Sequence, residues 1–227
     1  LHYPLRRQRQ MCIRDSLLAA ALSDALYQGG KLSAQSLTTT NYGICARLEK
    51  KFVVKAPDWA YIPEISVPQA EVERSYTPKL QGDFPAIVME FLSETEGGEY
   101  SAKPTFPPGK WFFYEQILKV PYYCIFDLKT HRLEVYKLAD SGQYKPETPQ
   151  GEGRFWIAGL DLFLGVWEGD RQGHSRHWLR WWTESGDLLL WSSESAQAEK
   201  QRADVEKQRA DRLAELLRAR GIDPKDV

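Results

Sequence analysis

One carboxylate, Glu90, lies in an apolar segment of the sequence, where burial of its charge would be unfavourable. Glu90 interrupts the run AIVMEFL at residues 86–92, which is otherwise apolar on both faces and therefore predicts a buried central strand. A charged side chain inside such a strand needs an ion-pair partner or a bound cation. Glu90 is therefore the first candidate for a functional site.

Two more residues could complete a metal-dependent site around Glu90. Asp58 follows Pro57 at the start of DWAYI, a second predicted strand, and antiparallel pairing of the two strands would bring both carboxylates together. A hard divalent cation such as Mg²⁺, or Mn²⁺ in its place, suits such a pair. Lys110 begins the predicted three-turn helix KWFFYEQILKV, four residues before Tyr114 on the same face. Its ammonium could offset charge on a phosphate or orient a water.

Each of these residues also has a purely structural alternative. Asp58 could be a strand-start residue, Glu90 could form a structural ion pair with Lys110, and Lys110 could be an exposed lysine of a first helical turn. The motifs GxxxxGK[ST], GxGxxG, HExxH, GxSxG and paired CxxC do not occur in the sequence. Phosphate-loop, Rossmann, zincin, hydrolase-elbow and zinc-ribbon sites therefore lack their signatures.

The elements around these residues alternate between helix and strand. Residues 17–27 place Leu18, Leu22, Ala25 and Leu26 on one helical face. YYCIFD at 122–127 and RLEVYKL at 132–138, joined by LKTH, predict a hairpin. The order of helix, strands, helix and hairpin predicts an α/β (α+β) fold.

The C-terminal part of this region is rich in tryptophan, with six of the chain's eight between residues 154 and 191. HWLRWW and DLLLW flank TESG, which predicts another hairpin. Base stacking is one use of such rings, but the strands lack regular Lys/Arg interleaving, so burial in the core is the favoured interpretation.

Both ends of the chain differ from its middle. Residues 1–16 show no apolar periodicity and MCIRDS resembles translated sequencing-adaptor DNA, so we predict a non-native or disordered segment. Residues 17–193 form the predicted domain. Residues 194–227 form a charged, heptad-like C-terminal helix, in which EKQRADV is followed directly by EKQRADR. Its seam is mostly polar, which favours a solvated helix, with coiled-coil association into a homodimer or contact with another partner as the alternative.

Composition limits the classes of function. The 227 residues are 42% hydrophobic with a net charge of −1, which excludes a wholly disordered chain. No apolar run is long enough for a membrane helix, and three cysteines cannot build a disulfide framework, so we expect a soluble cytoplasmic protein. Residues 17–193 carry more acidic than basic side chains, so any contact with nucleic acid must come from a confined basic patch.

Several of these segments together resemble one protein family. PDWAYIP, IVMEFLS, the K-x-x-x-Y of KWFFY, VPYYCIFD and LEVY look like the Uma-type (Uma-two) restriction endonuclease family of the PD-(D/E)XK nuclease superfamily, which is abundant in cyanobacteria. The resemblance covers residues 40–140, and cyanobacterial members extend it to almost the whole chain from residue 17. It implies a restriction-endonuclease-like core, a mixed central sheet flanked by helices with a long C-terminal helix.

The resemblance also implies a reaction and roles for the candidate residues. The reaction is Mg²⁺-dependent hydrolysis of DNA phosphodiester bonds, with Asp58 and Glu90 as metal ligands and Lys110 as the catalytic lysine. The usual E-x-K pattern would place lysine at position 92, which is Leu92 here, so the lysine must come from the helix. Lys103 is a second possible donor, and Ser93 and Tyr114 are candidate supporting residues.

The chain also departs from the family at its N-terminus, where a glutamate-rich motif is missing. The acidic balance of residues 17–193 supports an alternative function, that of a catalytically idle nuclease-fold protein that binds a partner or nucleic acid, with the C-terminal helix recruiting partners.

Overall fold

The structure is a computed structural model that describes residues 3–92 and 98–220, with side chains described from residue 13 onward. The chain divides into two compact units, Leu1–Leu189 and Leu190–Val227, which are described separately.

The described strands are β1 (Leu37–Thr39), β2 (Gly43–Leu48), β3 (Lys51–Lys55), β4 (Trp59–Ile62), β5 (Ser75–Tyr76), β6 (Ile87–Leu92), β7 (Tyr122–Asp127), β8 (Arg132–Leu138), β9 (Tyr144–Pro146), β10 (Phe155–Ile157), β11 (Leu162–Arg171) and β12 (His174–Trp182). The described α-helices are α1 (Tyr3–Gln28), α2 (Lys110–Phe112) and α3 (Ser192–Ala219).

Six of the described strands form a mixed central sheet in the order β1-β4-β6-β7-β8-β9. β4 and β6 are antiparallel, with Trp59 opposite Met89, whereas β6 and β7 are parallel, with Glu90 opposite Ile125. The parallel pair requires a crossover connection, which here contains α2. This confirms the predicted α/β (α+β) class with a restriction-endonuclease-like core and a long C-terminal helix.

The helix α1 packs its apolar face against the sheets of the first unit, to which it belongs. Leu18, Leu22 and Leu26 are buried, as predicted for the 17–27 segment. The indole N–H of Trp59 donates to the Ser23 hydroxyl over 2.9 Å, which ties the helix to the central sheet. Regular helix begins at Tyr3, so most of segment 1–16 continues α1, while the native or non-native origin of that segment stays a prediction.

The second predicted helix is shorter than expected. After α2 the chain forms a π-helical turn over Phe113–Ile117, in which the Leu118 N–H donates to the Phe113 carbonyl. Lys119 then takes a left-handed φ of 52°, and Pro121 follows. Because neither residue continues a helix, the predicted three turns are wrong and the helical segment covers only residues 110–117.

The tryptophan-rich region forms a separate antiparallel sheet in the order β10-β11-β12 among the described strands. The predicted hairpin around TESG is much shorter than expected: the chain turns back there with a single antiparallel bridge between Trp182 and Leu188, whereas β12 pairs along its length with β11 through the turn at Gln172–Gly173. Next to this bridge, the Leu189 N–H donates to the Trp181 carbonyl over 2.9 Å. The Asp187 carboxylate accepts the Ser185 hydroxyl, and this local network holds a tight turn instead of extending a strand pair.

The tryptophans in this sheet serve mainly as core, as predicted. Trp178 and Trp181 are fully buried. The ring of Trp181 lies 6.1 Å from that of Trp59, and its indole N–H donates to the Leu22 carbonyl of α1. These side chains therefore join α1, the central sheet and the second sheet within the first unit.

The second unit consists of α3 in the described residues, and no residue of that helix is buried. The Glu194 carboxylate accepts the Trp191 backbone N–H at its start, and Arg209 and Glu206 form an exposed pair three residues apart. This fits the predicted charged helix, while its self-association stays a prediction. Residues 221–227 lie outside the described residues. No helix of the described residues is both long and apolar enough to cross a membrane.

Candidate active site

Glu90 is the centre of a buried polar cluster on β6. Its side chain is only 1% exposed. The Tyr114 hydroxyl donates to Oε1 over 2.9 Å, and the Lys110 ammonium donates to Oε2 over 2.9 Å. The short α2 segment and the π turn thus place the predicted lysine and tyrosine on the same carboxylate.

Asp58 is held beside Glu90 by the backbone of the neighbouring strand. Its Oδ2 accepts the backbone N–H of Phe91 over 2.7 Å. Antiparallel pairing of β4 with β6 places Asp58 there, because it immediately precedes Trp59, the partner of Met89. The structure therefore brings together the three residues that the sequence singled out.

Burial dominates the electrostatics of the two carboxyls. It raises the pKa of Glu90 to about 8, with the Asp58 charge adding to the rise and the Lys110 ammonium opposing it. Burial also raises the pKa of Asp58, against the lowering effect of the Phe91 N–H and of Lys110. For Lys110, burial acts to lower the pKa, but the carboxylates of Glu90 and Glu99 raise it overall. Burial therefore favours the protonated form of Glu90, while the neighbouring carboxyl groups favour the charged form of Lys110.

Glu99 is a member of the cluster that sequence reasoning missed. It lies in a 3₁₀ turn at Gly98–Tyr100, where its Oε1 accepts the Lys110 ammonium over 3.3 Å. Tyr123 fixes the turn by donating its hydroxyl to the Glu99 carbonyl over 2.9 Å. The Glu99 side chain is 8% exposed, and its Oε2 is buried without a hydrogen-bond partner. The sequence offers three glutamates between 94 and 99, and nothing in their spacing distinguishes this one.

A further carboxylate comes from the N-terminal segment 1–16, which was predicted to be non-native or disordered. Burial and the charge of Asp58 raise the pKa of Asp15 to about 6, against the lowering effect of Arg14. The Asp15 Oδ1 is buried without a hydrogen-bond partner. Asp15 of α1 therefore lies close enough to Asp58 for the two charges to interact. The sequence around Asp15 has no apolar periodicity, so it gave no sign of this proximity.

The remaining predicted residues lie at the margin of the cluster. Lys103 is exposed, and its carbonyl accepts the Gly109 N–H over 2.8 Å. Burial, followed by the charges of Lys110 and Lys103, lowers the pKa of Lys55 at the end of β3. Lys55 and Lys103 thus both lie near Lys110. Ser93 lies outside the described residues.

The donor chemistry of the site suits a hard cation with incomplete protein coordination. Across residues 3–92 and 98–220, no three His, Cys, Asp or Glu side chains form a ready metal cage. Asp58 and Glu90 do offer two adjacent carboxylates, and Glu99 keeps a buried oxygen without a partner. Mg²⁺ is commonly held by one or two carboxylates while it retains several waters, so the residues fit such an ion.

Comparison with known proteins identifies the family. A family model described as "Uma2: Putative restriction endonuclease" matches residues 15–168, about two thirds of the chain. The chain belongs to the Uma2 family. The matched range contains every residue of the polar cluster. No curated protein sequence matches the chain at a significant level.

The structure explains how this Uma2 protein supplies a lysine without the E-x-K pattern. Leu92 occupies the position where that pattern would place lysine. The ammonium instead reaches Glu90 from Lys110, at the start of α2 in the crossover between β6 and β7. Gly109 allows this approach, because a Cβ at that position would overlap the Ser101 carbonyl.

The Tyr114 hydroxyl gives the first testable prediction. Tyr114→Phe will lower the free energy of unfolding by about 1–3 kcal/mol, because it leaves a buried Glu90 oxygen without its donor. Urea unfolding measures the change. Tyr100→Phe is the matched control, because its hydroxyl bonds Glu134 at an exposed position and we expect a loss below about 0.5 kcal/mol. Equal losses in the two variants would show that the Tyr114 bond contributes nothing specific.

Proposed function

We propose that this Uma2 protein is a Mg²⁺-dependent endonuclease that hydrolyses phosphodiester bonds in DNA. The observation that carries the proposal is the convergence of Asp58, Glu90 and Lys110 from three separate segments of the chain. The description of the family as a restriction endonuclease supports the same reaction class. Asp58 and Glu90 would hold Mg²⁺, with Mn²⁺ as a substitute.

The bound cation would supply positive charge to the scissile phosphate and favour ionisation of the attacking water. The chain's own groups provide position and charge around that reaction. Lys110 has three donors, of which Glu90 and Glu99 take two, so its third N–H can bind a phosphate oxygen or orient the water. Tyr114 fixes the Glu90 carboxyl and the Phe91 N–H fixes Asp58. Both carboxyls are therefore held in place before substrate binds.

One observation favours a second candidate, a catalytically idle nuclease-fold protein that binds nucleic acid or another partner. In the structure both Glu90 oxygens already accept protein donors, one from Tyr114 and one from Lys110. A cation must displace the proton of Glu90, the Lys110 bond or both. If that exchange is too costly, the fold persists without catalysis.

Nicking of supercoiled plasmid at low salt tests the proposal. We expect open circles with Mg²⁺ or Mn²⁺ and none with EDTA. A Glu90→Ala protein purified in parallel removes contaminating nuclease as an explanation. If the chain neither binds Mg²⁺ in calorimetry nor cuts duplex, branched or single-stranded DNA, the idle scaffold is the correct account.

A further inference from the structure

A cavity of about 400 Å³ lies in the first unit, between α1, the turn that follows β7 and the start of β12. Its apolar wall comes from Ile13, Leu17, Leu18, Phe126 and Leu128. Its polar wall comes from Arg14, His131, His174, Ser175, Arg176 and His177. Among the described residues that line this cavity, none is acidic. The wall therefore brings together two arginines and three histidines without a carboxylate.

Both arginines of this cationic cavity have a buried nitrogen that the described chain does not use. Nε of Arg14 and Nη1 of Arg176 are buried, and neither has a hydrogen-bond partner among the described residues. Elsewhere in the first unit, Arg132 pairs with Glu134 and Arg154 pairs with Glu152. A buried donor without an acceptor is unfavourable, and more so on a charged group. The two arginines therefore indicate an anionic ligand.

The acidic side chains near the cavity do not neutralise these arginines. The Asp170 carboxylate accepts the Gly173 N–H over 3.1 Å within its own turn. Glu168 has a side chain that is 78% exposed, and its carboxylate lies 3.8 Å from Nε2 of His177. Asp15 follows Arg14 in α1 but does not line the cavity. Burial, followed by the charge of Arg14, lowers the pKa of Arg176, which agrees with the placement of both arginines around one cavity.

The histidines of the wall come from two elements that are far apart in the sequence. The rings of His131 and His177 stack with their centroids 3.6 Å apart and their planes at 13°. His174 and Arg176 alternate with His177 along β12, which is the edge strand of the second sheet among the described strands. Side chains from both faces of an edge strand can border the groove beside it. Imidazole N–H groups are thus available beside the two guanidinium groups.

The composition of the cavity favours one class of anion. A phosphate monoester carries a charge of about −1.5 to −2 near neutral pH and presents three strong acceptor oxygens. Arginine binds such a group with two parallel N–H donors. A phosphodiester has only two free oxygens and one charge, and would leave more of these donors unused. The apolar wall around Leu17 and Leu128 suits a less polar body attached to the phosphate.

We propose that Arg14, Arg176 and the histidines His131, His174 and His177 bind a phosphate monoester, either a mononucleotide or the 5′-phosphate at the end of a DNA strand. The residues that line the cavity do not include Asp58, Glu90 or Lys110. Phe126 follows Ile125, the strand partner of Glu90, so its side chain points to the opposite face of the central sheet from that of Glu90. This site is therefore separate from the candidate active site and does not require the proposed nuclease function.

Titration calorimetry of the full chain with dTMP tests the proposal, in phosphate-free buffer at low salt with EDTA. We expect Arg14→Gln and Arg176→Gln each to raise the Kd for dTMP by about 10- to 100-fold, because each removes a charge-assisted hydrogen bond. Arg176→Lys should bind dTMP less tightly than the unmodified chain but more tightly than Arg176→Gln, because it keeps the charge and loses the paired donors. Far-UV circular dichroism checks that each variant is folded.

Arg132→Gln is the matched control for these variants. Arg132 directly follows His131, its guanidinium pairs with Glu134 over 3.3 Å, and it does not line the cavity. The substitution removes the same charge a short distance away, so we expect the Kd for dTMP to change less than about twofold.

Fluorescence anisotropy with a 3′-labelled oligonucleotide, with and without a 5′-phosphate, separates the two sources of the phosphate. Tighter binding of the phosphorylated strand that depends on Arg14 and Arg176 identifies the end of a DNA strand as a ligand. Equal binding of the two strands, with dTMP bound through both arginines, identifies the mononucleotide.

Three results would overturn the proposal. The first is that neither dTMP nor the phosphorylated strand binds. The second is that Arg132→Gln weakens binding as much as Arg14→Gln and Arg176→Gln do, which would indicate a general effect of charge. The third is that both strands bind equally through these arginines while dTMP does not bind, which would indicate a contact with backbone phosphodiesters. Because these measurements involve no cleavage, the absence of nuclease activity would leave this site unaffected.

Discussion

Asp58→Asn will lower the rate of Mg²⁺-dependent plasmid nicking by on the order of 10³-fold without unfolding the protein. The amide keeps an oxygen that can accept the Phe91 N–H, so the local structure is retained. It loses the negative charge that a divalent cation requires from a site with only two adjacent carboxylates. Initial nicking rates, together with Mg²⁺ titration by calorimetry, measure the two losses.

Asp127→Asn is the control for this substitution. Asp127 ends β7, is partly buried and accepts the Thr130 hydroxyl within its own turn. Asp127→Asn replaces a carboxylate by an amide, as Asp58→Asn does, but outside the polar cluster. We therefore expect its nicking rate to lie within about twofold of that of the unmodified chain. A nicking rate for Asp58→Asn equal to that of the control would exclude Asp58 as a ligand of the reaction.

Glu90→Gln will abolish the loss of stability that Glu90 causes as the pH rises. Burial raises the pKa of Glu90 from about 4.5 to about 8 in the folded chain, so the folded state keeps a proton that the unfolded state releases. The stability from this proton is fully present below about pH 4.5 and is lost as pH rises toward 8. Glutamine does not ionise and keeps Lys110 paired with Glu99. The variant should therefore exceed the unmodified chain in free energy of unfolding above pH 8, by a few kcal/mol in order of magnitude.

Urea unfolding in EDTA at pH 5, 6.5, 8 and 9 measures this crossover. The unmodified chain should lose stability across the series relative to Glu90→Gln. Mg²⁺ should restore stability at pH 8 to the unmodified chain and not to the variant, since a ligand stabilises only the state that binds it. Parallel pH curves for the two proteins in EDTA would contradict the elevated pKa of Glu90.

The residues that the sequence identified correctly share one property. Glu90 is conspicuous because its charge lies inside an apolar strand, and Asp58 and Lys110 begin regular elements with clear patterns. The local sequence pattern therefore predicted the elements that carry these residues. Antiparallel pairing of the strand after Asp58 with the strand of Glu90 then followed as a prediction. The placement of all three in the structure agrees with that reasoning.

The parts that the sequence could not predict depend on contacts distant in the chain. Tyr123 bonds the backbone of the turn that carries Glu99 and Lys110 bonds its side chain, and no periodicity in the sequence marks either contact. The long pairing of β12 with β11 was not predicted, because apolar runs lie on both sides of β12 and pattern alone does not show which of them pairs along its whole length. The π turn is followed by Lys119 in the left-handed region, and residue propensities signal neither feature.

The crossover between β6 and β7 carries both side-chain donors to Glu90, which are Lys110 and Tyr114, and also Glu99, the second acceptor of Lys110. Glu99 and Lys110 lie on this one connection, and the bond from the Gly109 N–H to the Lys103 carbonyl sets the length of the loop between them. An insertion or deletion within 101–109 would thus move Lys110 relative to Glu99 and Glu90 while leaving Asp58 on its strand. The crossover connection therefore sets where the ammonium lies, whereas the position of Asp58 is set by the pairing of the strands alone.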